Sequence, residues 1–303
     1  MYDKPTRRQL IRMAAAIGAT LALPASGRTA GRPARENRRA FPQGVASGDP
    51  DAGSVILWTR APREAPEDIR VEVAGDERFE KIVAGGRTRV SEETDWTCRF
   101  LAADLAPGRA YWYRFIDGAG QVSRVGRTFT APEAGAEAPA RFAFVSCQNI
   151  NLGYCTPYAR MIAEDAARPP DEQLRFVLHL GDFIYEMLWY PQDRPQGMQG
   201  RPVRDVARLP HGEKIGDYHV PTGVEDYRAI YRAYLEDADL QDARARWPFV
   251  CVWDNHEFSN RGWQSEALYD RARPAQQLKV AANRAWFEYI PARVRQPGRG
   301  VDL

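Results

Sequence analysis

The sequence predicts a two-part fold: a small all-β sandwich over residues 41–132, then an α/β domain built on a parallel sheet over residues 141–303. Three observations carry this. Short runs rich in β-branched and aromatic residues recur from Phe41 to about Pro132, with Gly, Asp and Pro between them and no helical pattern. TAPEAGAEAPA (130–140) has no periodicity and reads as a linker. Beyond it, strand-like and helix-like stretches alternate, an order that implies parallel pairing with covering helices.

The chain begins with TRRQLIR (6–12), MAAAIGATLALPA (13–25) and a tail of small residues. Paired Arg7 and Arg8 before a short apolar stretch match an export signal of the twin-arginine (Tat) type over residues 1–30, because a spanning helix needs about 20 apolar residues. The expected location is periplasmic or secreted, with the Tat export machinery as a transient partner and no stable membrane insertion after processing. Composition agrees with a globular protein: 44% hydrophobic, 27% charged and a formal net charge of +2. That balance gives no case for a nucleic-acid-binding role.

In the first part, SVILWTRA (54–61), IRVEVAG (69–75), TDWTCRFLAADL (94–105) and AYWYRFIDG (110–118) read as strands. Tyr111, Tyr113 and Phe115 alternate with Trp112, Arg114 and Ile116, giving one strand two faces. ADLAPGRAYWYRF (103–115) resembles the corner of a fibronectin III-like sandwich, in which Leu105 and either Tyr111 or Tyr113 would pin the turn. In the second part, RFAFVSC (141–147), LRFVLHLGDF (174–183) and PFVCVWD (248–254) read as strands. YARMIAEDAAR (158–168) and VEDYRAIYRAYLEDADLQDARARW (224–247) read as helices. Residues 186–223 carry many Pro, Gly and Arg and read as a lid or rim.

Ligands of parallel α/β sheets collect at the C-terminal strand ends. Here the three strands end in Ser146-Cys147-Gln148-Asn149, in GDFIYE (181–186) and in DNHE (254–257), all rich in groups that bind metals or move protons. These blocks, with FPQGVASGDPDAGSVILWTR (41–60) and YRAYLEDADLQDARARWPFVCVWDNHEFSN (231–260), resemble the PhoD-type alkaline phosphatases and phosphodiesterases, within the calcineurin-like metallophosphoesterases. The resemblance implies an α/β metallophosphoesterase-like domain, an incomplete β-sandwich flanked by helices, that hydrolyses small-molecule phosphate esters by attack of a metal-bound hydroxide. It implies Fe(3+) and Ca(2+) as cofactors. Carried over by position, Cys147 would be a thiolate ligand, Asp182 a bridging carboxylate, Tyr185 a phenolate ligand and Asn255 a ligand to a second metal. His256 would contact the phosphoryl oxygens, and with Asp182 forms the expected catalytic pair.

The residue types suit these roles. A carboxylate has two oxygens to share between cations, thiolate and phenolate are anionic donors for Fe(III), and an amide oxygen suits calcium. The spacing of Asp182 and Tyr185 would let one helical turn aim both at one ion. Each residue also has a plain structural alternative: Cys147 as a small buried hydrophobe, Asp182 as a helix cap, Tyr185 as core. Glu186 and Glu257 are expected to orient neighbours, and His179 to be buried and hydrogen-bonded. His211 and His219 lie in the long loop. Four cysteines without a CxxC give no disulfide framework, though one bridge is compatible with an oxidising compartment.

The family pattern includes a later Asp-x-His pair that this sequence lacks, all four His falling by position 256. The expectation is a C-terminally truncated chain whose sheet has an open edge. Two other functions compete: a phospholipase D-like phosphodiesterase of the same family, and a catalytically incomplete fragment acting only as a binding module.

Overall fold

A computed structural model describes residues 36–262 and 264–294. The export signal expected over residues 1–30 lies outside the described residues. In chain order the strands are β1 (Val45–Gly48), β2 (Val55–Arg60), β3 (Glu67–Ala74), β4 (Ile82–Val90), β5 (Thr97–Ala102), β6 (Ala110–Ile116), β7 (Gly126–Phe129), β8 (Phe142–Val145), β9 (Phe176–His179), β10 (Leu188–Trp189), β11 (Glu213–Ile215), β12 (Tyr218–Val220), β13 (Pro248–Cys251), β14 (Glu266–Leu268) and β15 (Ala272–Pro274). The helices are α1 (Thr156–Ala166), α2 (Val224–Tyr234), α3 (Ala238–Arg246) and α4 (Gln276–Tyr289).

A mixed six-stranded sheet, ordered β5-β2-β1-β13-β9-β8, carries the expected strand ends. β8, β9 and β13 are parallel, as their intervening helices require. β1 pairs in parallel with β13, Ser47 opposite Pro248, so strands from the N-terminal segment extend the same sheet across the 130–140 connection. The remaining N-terminal strands form a second sheet, β4-β3-β6-β7. Its corner is held by Tyr111, whose hydroxyl accepts from Ala106 N at 2.8 Å and donates to Ala106 O at 3.2 Å, with Leu105 buried beside it.

One helix expected over 224–247 is two. The first ends at Tyr234, and Asp237 caps the start of the second, its carboxylate accepting from the N–H groups of Asp239 and Leu240 at 3.1 Å. Such an N-cap satisfies donors that a continuous helix would have used internally. The 186–223 stretch is not irregular throughout: β10, β12 and β11 form a small antiparallel sheet. His219 stacks on Tyr190 at 3.9 Å and meets Asp193, a structural role for that loop histidine. All four cysteines are free thiols, so the single disulfide that the sequence allowed does not form. Among the described residues no helix is long and apolar enough to cross a membrane.

Alternation along β8, β9 and β13 puts Val145, Val177, His179, Phe249 and Cys251 on the face toward the core cluster. The opposite face and the free edge of β8 are less covered, and Phe144 is 69% exposed.

Asp95 ties the N-terminal strands to the helices. It lies near-buried and accepts from Arg60 Nη2 at 2.9 Å, from Arg232 Nη1 at 2.6 Å and from the Tyr289 hydroxyl. Burial opposes its charge, but Arg60, Tyr289 and Arg232 together hold the carboxyl below its ordinary value. A depressed folded-state pKa stabilises the fold above the unfolded carboxyl's pKa, and this is lost as pH falls through the folded value. Asp95→Ala, which strands two guanidinium groups, is expected to cost about 3–5 kcal/mol. Urea unfolding at pH 7 checks the magnitude, and the gap between variant and wild type should close in acid.

Candidate metal centre

The three strand ends are cross-braced by two buried glutamates, each reaching from one loop into the other. Glu257, after β13, accepts from the backbone N–H groups of Asp182 at 3.1 Å and Phe183 at 2.5 Å, and from that of Asp254 at 2.6 Å. Glu186, in the loop after β9, accepts from Asn260 N at 2.5 Å and meets His256 Nδ1 at 2.7 Å. The loop after β8 joins them through Cys147 N–H, which donates to Gly181 O, and Gln148 N–H, which donates to Asp182 O, both at 3.2 Å.

Gly181 makes the close approach possible. Its φ is +96°, and a Cβ there would lie 2.7 Å from Asp254 N and 2.6 Å from Asp254 Cβ. Only glycine tolerates both that conformation and that contact. Cys147 and Asp182 sit in the left-handed region as well, at φ +55° and +54°. For cysteine this backbone is uncommon and is held by the surrounding hydrogen bonds.

These constraints gather the candidate ligands. The Tyr185 hydroxyl donates to Asp182 Oδ2 at 3.2 Å, and Cys147 lies close enough to that hydroxyl to influence its ionisation. Asp182 Oδ1 accepts from His256 N at 3.3 Å, so each carboxylate oxygen faces a different strand end. The Asn255 amide has no hydrogen-bond partner among the described residues. The Tyr185 and His256 rings pack at 4.1 Å with 30° between planes. Cys147 is exposed and opens onto a cavity of about 520 Å³, lined also by Gln148, Tyr154, Tyr158, Met161 and Arg201.

The expected helical turn is absent: residues 181–187 are bends and irregular backbone, and neither a helix nor a cap involves Asp182. Tyr185 reaches Asp182 because its backbone N–H is held by the Tyr234 hydroxyl at 2.9 Å. His179 is fully buried as expected, but neither ring nitrogen has a hydrogen-bond partner. It packs against Phe183 at 5.0 Å, and burial, with the Arg244 charge adding, pushes its pKa down to about 4. It is a neutral core residue.

The electrostatics favour a cation. Burial raises the Tyr185 phenol well above its ordinary value, and the Asp182 carboxylate beside it raises it further, so ionising it requires added positive charge. Burial of His256 opposes its charge, yet the Glu186 hydrogen bond and the carboxylates around it outweigh burial and raise its pKa. Burial pushes Glu257 up to about 7, against the three N–H donors that favour its ionised form. Among the described residues no three His, Cys, Asp or Glu side chains group as a metal cluster. The donor set that does converge is a cysteine sulfur, a carboxylate and a phenol. The carboxylate and phenol oxygens suit a hard cation and the sulfur adds a softer donor, a mixed set that fits a transition-metal ion.

Comparisons with known proteins agree with this arrangement. A family model described as PhoD-like phosphatase matches residues 142–303, and one described as PhoD-like phosphatase, N-terminal domain, matches residues 26–132. Alkaline phosphatase D of Bacillus subtilis (strain 168) is 34% identical over 282 residues, covering 87% of this chain and 43% of that protein. A solved structure of PhoD superposes with a TM-score of 0.73 at 31% identity, over 87% of this chain and 48% of that one. The chain thus spans less than half the length of each of these relatives. Since one family model runs through the strand ends bearing Cys147, Asp182 and Asn255 and the other through the strands before them, the chain belongs to the PhoD-like phosphatase family.

Proposed function

We propose that the protein is an exported, metal-dependent phosphoesterase acting on small-molecule phosphate esters. The observation that carries this reading is the meeting of Cys147, Tyr185 and Asp182 beside His256, delivered from three strand ends. Cys147, Asp182 and Tyr185 would hold Fe(3+) and Asn255 would hold Ca(2+), cations that supply Lewis acidity and charge stabilisation to a phosphate ester. Asp182 suits the bridging place because its two oxygens face different partners. His256 holds its proton more firmly than a free histidine and offers it to a phosphoryl oxygen. Glu257 fixes the Asp182 backbone, keeping the carboxylate on station. The cavity beside Cys147 leaves room for the alcohol portion of the ester.

The N-terminal strands are, in the same reading, a fibronectin III-like unit that buttresses this sheet, supported by the Tyr111 corner. Export by the twin-arginine route rests on Arg7 and Arg8, and it suits a protein that takes up its metal while folding.

Reconstitution with Fe(III) and Ca(II), followed by assay on a phosphomonoester and a phosphodiester, tests the reading. Turnover that chelation removes and metal restores is the expected result. A folded, reconstituted protein that cleaves neither ester overturns it.

A further inference from the structure

We propose that Glu186 is a positioning residue that dictates which edge of His256 faces the ester, by accepting its Nδ1–H and so presenting Nε2. This rests on the hydrolytic reading of the site. Glu186 is fully buried, and its carboxylate is fixed by two bonds to the opposite loop: one oxygen accepts from Asn260 N at 2.5 Å, the other meets His256 Nδ1 at 2.7 Å. One carboxylate oxygen already serves as the acceptor for Asn260 N–H, and the other faces His256 Nδ1 at 2.7 Å. With the carboxylate as acceptor on both oxygens, Nδ1 carries the hydrogen and the neutral ring is the Nδ1–H tautomer. Free histidine favours the other tautomer.

The ring is also held on a second side. Tyr185 covers one face at 4.1 Å, and turning the imidazole over would set a C–H against the buried carboxylate. Nε2 has no hydrogen-bond partner among the described residues. It is therefore the nitrogen left to donate to, or accept from, a bound phosphate ester. The same side chain joins both strand ends: Glu186 follows Tyr185, while its partners flank Glu257. Ring orientation and loop closure thus depend on one carboxylate.

The test is the tautomer of His256 in the full chain labelled with ¹⁵N-histidine, assigned by the signals lost in His256→Gln. The expected wild-type result is a protonated Nδ1 and, in the neutral ring, an unprotonated Nε2. In Glu186→Gln, whose amide can either accept or donate, a mixture of tautomers is expected, with kcat about 10–100-fold lower and KM little changed. A wild-type Nε2–H tautomer, or an unchanged Nδ1–H tautomer in Glu186→Gln, overturns the assignment. The wild-type spectrum decides even if Glu186→Gln does not fold. A chain with the Nδ1–H tautomer that hydrolyses no ester refutes the hydrolytic reading while leaving the Glu186 lock standing.

Discussion

Asp182→Asn is expected to lower phosphate-ester hydrolysis by at least about 100-fold, more than loss of a partner that merely orients a metal ligand. The fold is expected to survive, with a change of no more than about 1 kcal/mol in unfolding free energy. The reasons are local. Asn keeps the shape of Asp and an amide oxygen for the His256 N–H, which donates to Asp182 Oδ1 at 3.3 Å. It also tolerates the left-handed backbone at this position, where φ is +54°. What Asn cannot supply is a second anionic oxygen, and the Tyr185 hydroxyl then faces an amide. A kinetic loss with an unchanged urea midpoint separates chemistry from stability. Equal losses of both would point to a structural carboxylate.

Glu257→Ala should do the reverse, acting first on stability. It removes the acceptor for three backbone N–H groups, those of Asp182, Phe183 and Asp254, in a place where water does not replace it. Leaving buried donors unsatisfied costs about 1–3 kcal/mol each, and because the three share one acceptor the total is expected near 3–5 kcal/mol. Glu257→Gln should recover only part, since its NH₂ turns a donor toward donors. The pH dependence has a definite sign. The carboxyl titrates near 7 when folded against 4.5 ordinarily, burial being the main cause. The folded state therefore binds the proton more tightly, and metal-free protein loses stability as pH rises from about 4.5 to 7, then levels off. Glu257→Gln should flatten that slope. Urea midpoints across this range provide the check.

The strand ends were legible because each is announced twice, by an apolar run and by an abrupt polar stop. RFAFVSC, LRFVLHLGDF and PFVCVWD became β8, β9 and β13, side by side. The corner tyrosine was legible as a choice of two, and the hydroxyl of Tyr111 resolves it. Other features depend on distance along the chain. β1 is four residues, three of them small, and its parallel partner lies about 200 positions away, so nothing local marks it. β4 contains Gly85 and Gly86, which break a strand pattern on paper. In space Gly86 lets the Phe100 ring approach to within 2.7 Å of where a Cβ would be.

The glutamate cross-brace shows the same limit within the site. Glu186 and Glu257 were readable as orienting groups from their adjacency to candidate ligands. Which N–H or ring each would meet was not, because every partner but Asp254 reaches across two strand ends. The helix expected between Asp182 and Tyr185 failed for a related reason: the hydrogen bonds that would have made a turn are taken by Glu257 and Tyr234.

The central claim is that sulfur, carboxylate and phenol oxygen share one ferric ion. Visible absorption with metal analysis, on wild type reconstituted with Fe(III), Cys147→Ser and Tyr185→Phe, tests it most directly. The expected wild type binds iron and shows thiolate- and phenolate-to-iron charge-transfer bands, each variant losing its own band. A folded wild type that stays colourless and iron-free, or a spectrum that neither substitution alters, would contradict it.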